Sequence, residues 1–360
     1  MFLEFLYPLV KYFTPLNVFQ YLTFRGAYAA LTTLLICYIF GPQIILALQK
    51  LKMKQPIRED GPETHIKKSG TPTMGGVFII LSVIIASLLW QDLKNTKVWL
   101  VLGAFVAFGF LGFIDDFLKV TRQNSKGLPA KGKLVGQVLI SLTIALILYR
   151  HGDEGITLLY LPFFKNPVLD LGVLWIPFAT LLMVGESNAV NLSDGLDGLA
   201  AGLLILVFIT LTLLTYISGR VDYSSYLGIP YITGGGELTV FCLAVVGACV
   251  GFLWFNAHPA EVIMGDVGAL SLGGVIATIS LLIKKEILTL IVGGVFVLEA
   301  ASVIIQVLVF RTQKQRRFFK MAPLHHHFEL SGWEETKVVI RFWILGGLFA
   351  IIALSTLKIQ

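Results

Sequence analysis

The stretch Val98-Trp99-Leu100-Val101-Leu102-Gly103-Ala104-Phe105-Val106-Ala107-Phe108-Gly109-Phe110-Leu111-Gly112-Phe113-Ile114, followed at once by Asp115-Asp116, decides the architecture. It is a charge-free run of about the length a helix needs to cross ~30 Å of hydrocarbon. The two carboxylates at its end mark where it meets water. Similar runs recur along the 360 residues, at about 22–48, 75–91, 134–149, 173–187, 199–218, 238–255, 267–283, 288–310 and 338–357. With 98–114 they make ten spans, which use roughly 200 residues. Composition agrees: 56% of the residues are hydrophobic and 14% charged, and the mean hydropathy is +0.81, whereas a globular domain is about 25% charged. The expectation is an all-α polytopic membrane protein with one domain over residues 1–360. The longest loop, 311–337, is too short to fold alone. Disorder, secretion and a coiled coil are excluded.

Residues 1–20 carry Glu4 and Pro8, with no basic start and no small-residue cleavage site, and read as an interfacial segment rather than a signal peptide. Cys37, Cys242 and Cys249 each lie inside an apolar run without metal or redox spacing and read as small membrane-buried residues. An even number of spans puts both termini on one side. One set of alternate loops holds 17 of the 28 lysines and arginines. By the positive-inside rule that face is cytoplasmic, and both termini lie outside. Asp115-Asp116, the stretch Asn188 to Asp197, Asp266 and His325-His326-His327 all fall on the cytoplasmic connections, which points to a single site at the inner membrane surface.

Adjacent residues on a helix point about 100° apart, so Asp115 and Asp116 are not expected to grip one ion as a pair. One would bind a metal while the other handles a proton or positions a substrate. The plain alternative is a solvated helix end. Asn188, Asn191, Asp194 and Asp197 recur every three residues, which would line one flank of a helix. Four such residues are costly in a membrane and call for a polar partner, and Gly195 and Gly198 would let backbone approach a ligand. Asp266 opens another apolar run, where it suits either an N-cap or a phosphate site at a helix N-terminus. Three consecutive histidines diverge, which argues against zinc. Hydrogen bonds to phosphate, beside Arg316, Arg317 and Lys320, suit them better, and contact with anionic lipid headgroups is the plain alternative. Glu299 and Gln306, inside the ninth run, are either functional or hydrogen-bonders between helices.

Oxygen-rich ligands select a hard cation such as Mg²⁺. A metal, neutralising cations and a carboxylate are the parts of phosphoryl transfer. The residues therefore point to a Mg²⁺-dependent enzyme joining a soluble phosphorylated donor to a lipid at the membrane edge. A secondary transporter is the rival of a different class, but transport sites lie at the midplane of repeated halves, and no internal repeat is visible here.

Gly112-Phe113-Ile114-Asp115-Asp116, the run Asn188 to Leu199, Gly265-Asp266 and Pro323-Leu324-His325-His326-His327-Phe328-Glu329 resemble the polyprenyl-phosphate N-acetylhexosamine-1-phosphate transferase family. The resemblance runs from Tyr21-Leu22-Thr23-Phe24-Arg25, through Gly70 to Gly76, to Arg341-Phe342-Trp343, nearly the whole chain. The histidines after Met321-Ala322-Pro323 favour its muramoyl branch over the sister branch that uses UDP-N-acetylglucosamine. The resemblance implies that undecaprenyl phosphate attacks the β-phosphorus of UDP-N-acetylmuramoyl-pentapeptide, giving lipid I and UMP with Mg²⁺ as cofactor. The setting would be the bacterial cytoplasmic (inner) membrane, in peptidoglycan synthesis.

Carried over by position, Asp266 would bind the metal with Asp116, and Asp115 would contact the lipid phosphate, the three forming the catalytic set. Asn188, Asn191, Asp194, Asp197, Lys119, Lys133, Gln306, His325, His326 and His327 would bind substrate. Membrane lipid is an expected partner and nucleic acid is not; a homodimer is left open. Two departures stand out. Ile263 replaces the Phe that the family has three residues before its metal Asp, and Glu186-Ser187-Asn188 replaces the usual Thr-Gly-Asn, adding a charge.

Overall fold

The computed structural model describes residues 1–51, 71–122, 127–312 and 317–358. Gly70 and Arg316 lie outside the described residues, as do Lys52, Lys54, Arg58, Lys67, Lys68, Lys126 and Lys314 among the 17 loop lysines and arginines counted above. After a short helix α1 (Phe2–Leu6) and two 3₁₀ turns come α2 (Leu22–Lys50), α3 (Gly76–Trp90), α4 (Thr96–Thr121) and α5 (Ala130–His151). A two-stranded hairpin, β1 (Leu158–Leu159) and β2 (Leu169–Asp170), precedes α6 (Trp175–Ser193), α7 (Leu199–Ser218), the short α8 (Val221–Leu227) and α9 (Glu237–Asn256). The chain continues through α10 (Gly265–Leu282), α11 (Glu286–Val292), α12 (Gly294–Thr312), α13 (Leu324–Glu329) and α14 (Glu335–Ser355).

Among the described residues, 9 helices are long and apolar enough to cross a membrane, and the 15-residue α3 is a shorter apolar helix. Every expected span has its helix, and the protein is an all-α polytopic membrane protein. The run at 288–310 is not one helix, however. It divides into α11 and α12 at Gly293-Gly294, where the chain lacks the side chains that would favour helix over a bend. The small hairpin and α8 lie in connections for which the sequence reading named no element.

Lipid tails give helices no hydrophobic drive to associate, so small residues that permit close backbone contact dominate such packing. Gly247 and Gly251 on α9 show this against α2: a methyl group at Gly247 would overlap the Ala30 carbonyl, and one at Gly251 would lie 2.6 Å from Cys37 Cβ. Thr33 completes the seam by donating to the Ala244 carbonyl at 2.8 Å. At the centre stands α10, 89% buried, while α2, α5 and α12 are each 28% buried on the bundle's outside. All three cysteines are free and buried, as expected.

At the end of the bundle away from Asp115, the start of α2, the end of α3 and the start of α9 meet in a polar knot. Arg25 donates through both terminal nitrogens to the Glu237 carboxylate at 2.7 and 2.6 Å and to the Trp90 carbonyl at 3.1 Å. Asp92 N adds a third donor to that carboxylate at 3.0 Å. Phe2, Phe19, Phe24 and Tyr28 pack around Trp90 with ring centroids 4.9–6.2 Å away. The 1–20 segment therefore docks on the helices through aromatic rings.

Candidate active site

The C-terminal end of α4, the start of α5, the end of α6 and the start of α10 converge at the opposite end. Ligand atoms of Asp115, Asp116 and Asp266 all lie within 4.8 Å of one another. Although not expected to grip one ion as a pair, Asp115 and Asp116 both approach the same ammonium. Lys119, one turn on, lies 2.7 Å from Asp115 Oδ2, 3.2 Å from Asp116 Oδ1 and 2.7 Å from Asp266 Oδ2. Lys133, from α5, also reaches Asp266 Oδ2 at 2.7 Å and stands 3.6 Å from Asp115 Oδ2. Asn191 Nδ2 donates to the other Asp266 oxygen at 2.5 Å. The Leu128 backbone N–H donates to Asp115 Oδ1 at 2.6 Å.

Asp266 is not the N-cap of α10. That place falls to Met264, without a side-chain cap. The N–H groups at the helix start are instead taken by carboxylates from elsewhere in the chain, Asp116 of α4 and Asp194 just past the end of α6. Gly265 N donates to Asp194 Oδ2 at 3.1 Å, and Val267 N donates to Asp116 Oδ2 at 3.2 Å. These bonds use the donors that would otherwise have welcomed a phosphate. Gly265 is required here: its φ is +72°, and a Cβ would lie 2.5 Å from Asp116 Oδ2. Burial pushes the Asp194 carboxyl up to about 7.

The period of three through Asn188, Asn191, Asp194 and Asp197 does not continue as one helical flank. α6 ends at Ser193, and Gly198, with φ +77°, precedes α7, so the two aspartates lie on a turn. Asn188 donates to Gln137 Oε1 on α5 at 3.0 Å and ties two helices together. Asp197 Oδ2 lies 3.0 Å from His258 Nδ1 and accepts from Ala260 N at 3.1 Å. The Asp197 backbone N–H donates to Glu335 Oε1 at 2.9 Å.

The three histidines diverge less than their spacing predicts: the His325 and His326 rings meet edge to face with centroids 4.1 Å apart, although each of the three has its own partner. His325 is buried, with its backbone N–H and its Nδ1 each 3.2 Å from Glu299 Oε1. Its ring lies against Gly195, where a side chain would collide with Nε2. Glu299 thus gains a partner and supports the 194–198 turn from below. His326 Nδ1 lies 2.8 Å from Glu329 Oε2, and His327 Nδ1 accepts from Lys320 N at 3.1 Å. Gln306 accepts from Phe318 N and Phe319 N and donates to the Phe319 carbonyl, pinning the start of the basic loop. Glu186 lies apart from the aspartate centre, buried in α6 near Gly293, its oxygens without a hydrogen-bond partner among the described residues.

His258 and Glu335 went unread in the sequence. For His258 the available signal was polar residues before the α10 start: Asn256, His258 and Glu261 crowd the ten residues before Asp266.

A family model for the glycosyl transferase family 4 matches residues 98–284, and a phospho-N-acetylmuramoyl-pentapeptide-transferase signature matches residues 68–80. The chain is 52% identical over 361 residues to the phospho-N-acetylmuramoyl-pentapeptide-transferase of Thermodesulfovibrio yellowstonii, covering 100% of both chains. Proteins of that name from a Geobacter species and from Rickettsia bellii are 52% and 53% identical, over 99% and 96% of each chain.

Proposed function

Since the chain belongs to the glycosyl transferase family 4, we propose that it transfers phospho-N-acetylmuramoyl-pentapeptide from its UDP-linked donor to undecaprenyl phosphate. The products are lipid I, for peptidoglycan synthesis, and UMP. The observation that carries the chemistry is the meeting of Asp115, Asp116 and Asp266 with Lys119 and Lys133 at one end of the bundle. The full-length likeness to transferases of that name supports the choice of donor.

In this reaction an oxygen of the acceptor phosphate attacks the β-phosphorus of the donor. A new pyrophosphate bond forms, the bond from that phosphorus to the UMP oxygen breaks, and UMP leaves. Lys119 and Lys133 neutralise phosphate charge. Asp115, held by Leu128 N and Lys119, positions the acceptor phosphate. No general base is needed, because a phosphate monoester with a second pKa of about 6 is already largely dianionic near neutral pH. Asn191 orients Asp266. Asp194 and Asp197, on the turn supported by His325 and Glu299, receive the nucleotide side of the donor. His327 and Gln306 order residues 318–320 of the basic loop beside it, and His326 pairs with Glu329 in the same loop.

The donor set also suits a divalent metal. Three convergent carboxylates present oxygen ligands only, the preference of Mg²⁺. They outnumber the two ammoniums even before two phosphorylated substrates add negative charge. Asp116 and Asp266 would hold Mg²⁺, which would draw charge from the donor diphosphate. We place this site at the cytoplasmic face of the bacterial inner membrane, with both termini on the opposite side and residues 1–360 acting as one domain. The distribution of lysine and arginine among the loops supports that orientation.

The test is UMP release by purified full-length protein with undecaprenyl phosphate and Mg²⁺, comparing UDP-N-acetylmuramoyl-pentapeptide with UDP-N-acetylglucosamine. Release from the first donor alone is expected. Chelation and Asp266→Asn should each lower it by a factor on the order of 10³, the scale of removing a charge-stabilising group. Release from the second donor alone would assign the sister reaction, and none from either would defeat the catalytic reading.

A further inference from the structure

His258 lies on the connection between α9 and α10, where neither the sequence reading nor the reaction gives it a part. Its side chain is 42% exposed, so packing does not explain it, yet its Nδ1 faces two nearly buried carboxylates. Asp197 Oδ2 is 3.0 Å away and Glu335 Oε2 is 3.7 Å away, their side chains 6% and 8% exposed. Two acids so close repel, and the one proton that Nδ1 can carry goes to the nearer, Asp197 Oδ2. Each already accepts from protein: Asp197 Oδ2 from Ala260 N, and Glu335 Oε1 from Asp197 N. Hydrogen bonds therefore link His258 to the Asp197 side chain and the Asp197 backbone to Glu335.

What these bonds hold is the 194–198 turn. At its near end, Asp194 bonds Gly265 N beside Asp266. At its far end, Gly198 N donates to Asn256 Oδ1 at 3.1 Å, and Asp197 is gripped by both side chain and backbone. Of the two donors to Asp197 Oδ2, the Ala260 backbone N–H is fixed by the chain, whereas the His258 side chain can be removed by substitution.

We propose that His258 is a positioning residue for the nucleotide donor: through Nδ1 it fixes the Asp197 carboxylate, and with it the 194–198 turn, in the arrangement that receives the UDP moiety. This rests on the transferase reading above. His258 acts through Asp197, as a carboxylate-bound imidazole orients a metal ligand from behind.

The experiment uses full-length protein and the variants His258→Ala, His258→Asn, Asp197→Ala and the double variant His258→Ala/Asp197→Ala. The Asn side-chain nitrogen sits where His258 Nδ1 does, so it can replace the donor. His258→Ala should raise KM for the UDP-linked donor roughly tenfold, the scale of a lost hydrogen bond to a charged group. KM for undecaprenyl phosphate and the thermal midpoint should stay unchanged. His258→Asn should restore donor KM, and the double variant should match Asp197→Ala alone. An unchanged donor KM in His258→Ala, a parallel rise in both KM values, or a further loss on the Asp197→Ala background would each overturn the proposal. Calorimetric binding of UMP to wild type and His258→Ala runs alongside. If wild type releases no UMP, the transferase reading fails, and the binding comparison still decides: weaker UMP binding in His258→Ala sustains the positioning role and equal binding ends it.

Discussion

Two buried clusters of charge occupy opposite ends of the same bundle, and they are built differently. Around Arg25, one guanidinium meets one carboxylate in a two-pronged bond, and neighbouring backbone supplies further partners. Charge there is balanced within the protein. Around Asp266, three carboxylates share two ammoniums, and the sharing is uneven: Lys119 touches all three acids, while Lys133 reaches Asp266 and Asp115. Charge is left over. A balanced buried pair can only hold helices together, whereas an unbalanced one awaits something carried in from outside. Breaking a buried pair leaves a lone charge and is strongly destabilising. Breaking an unbalanced cluster can relieve repulsion while destroying function.

That contrast can be broken by experiment. Arg25→Ala should destabilise the protein by about 3 kcal/mol, since it leaves the mostly buried Glu237 carboxylate without its cation. UMP release per folded molecule should persist. Denaturation in detergent and specific activity report the two quantities, and a stable but inactive variant would refute the structural role of the knot. A smaller effect should come from the metal. Mg²⁺ at a hundredfold excess over its dissociation constant should stabilise wild type by about 2.7 kcal/mol, and Asp266→Asn should show no such gain. A gain that survives in the variant would put the ion elsewhere.

The smallest effect concerns Asp194. Its carboxyl is raised by burial to about 7, from an ordinary value near 4. Between those values the folded protein keeps a proton that the unfolded chain releases. Its contribution to stability is therefore full below about pH 4 and lost as pH rises through 7. In Mg²⁺-free buffer, the fall in thermal midpoint across that window should be shallower in Asp194→Asn than in wild type. Equal slopes would remove Asp194 as its source.

The contrast also explains what the sequence made legible. Ten spans could be read because hydrocarbon thickness demands long apolar runs, and α4 shows the rule plainly. The residue types of the candidate site could be read because aspartates beside apolar runs are expensive unless used. Their geometry could not. Asp116 and Asp266 are 150 positions apart, and only the packing of α4 on α10 brings them together. The period-three pattern from Asn188 misled because Gly195 and Gly198 stop the helix midway, placing Asp197 on a turn that faces His258. Glu299 stayed ambiguous because its partner, His325, lies across a loop that spacing rules do not bridge. The division of 288–310 was written in Gly293-Gly294, but two glycines in an apolar run also suit an unbroken helix packed closely on a neighbour.

The depth of α10 in the bundle has a consequence for the setting in which the chain works. With 89% of its span buried, α10 meets almost no lipid, whereas α2, α5 and α12 face outward over most of their surface. A bilayer that thickens or thins acts on the helices it touches, tilting them to match its hydrocarbon. Asp266 rides on the helix most insulated from that pull, with its neighbours seated against the backbone of the same helix. Growth temperature and acyl-chain composition can then reshape the rim of the bundle while the spacing of its acidic centre is kept by protein alone.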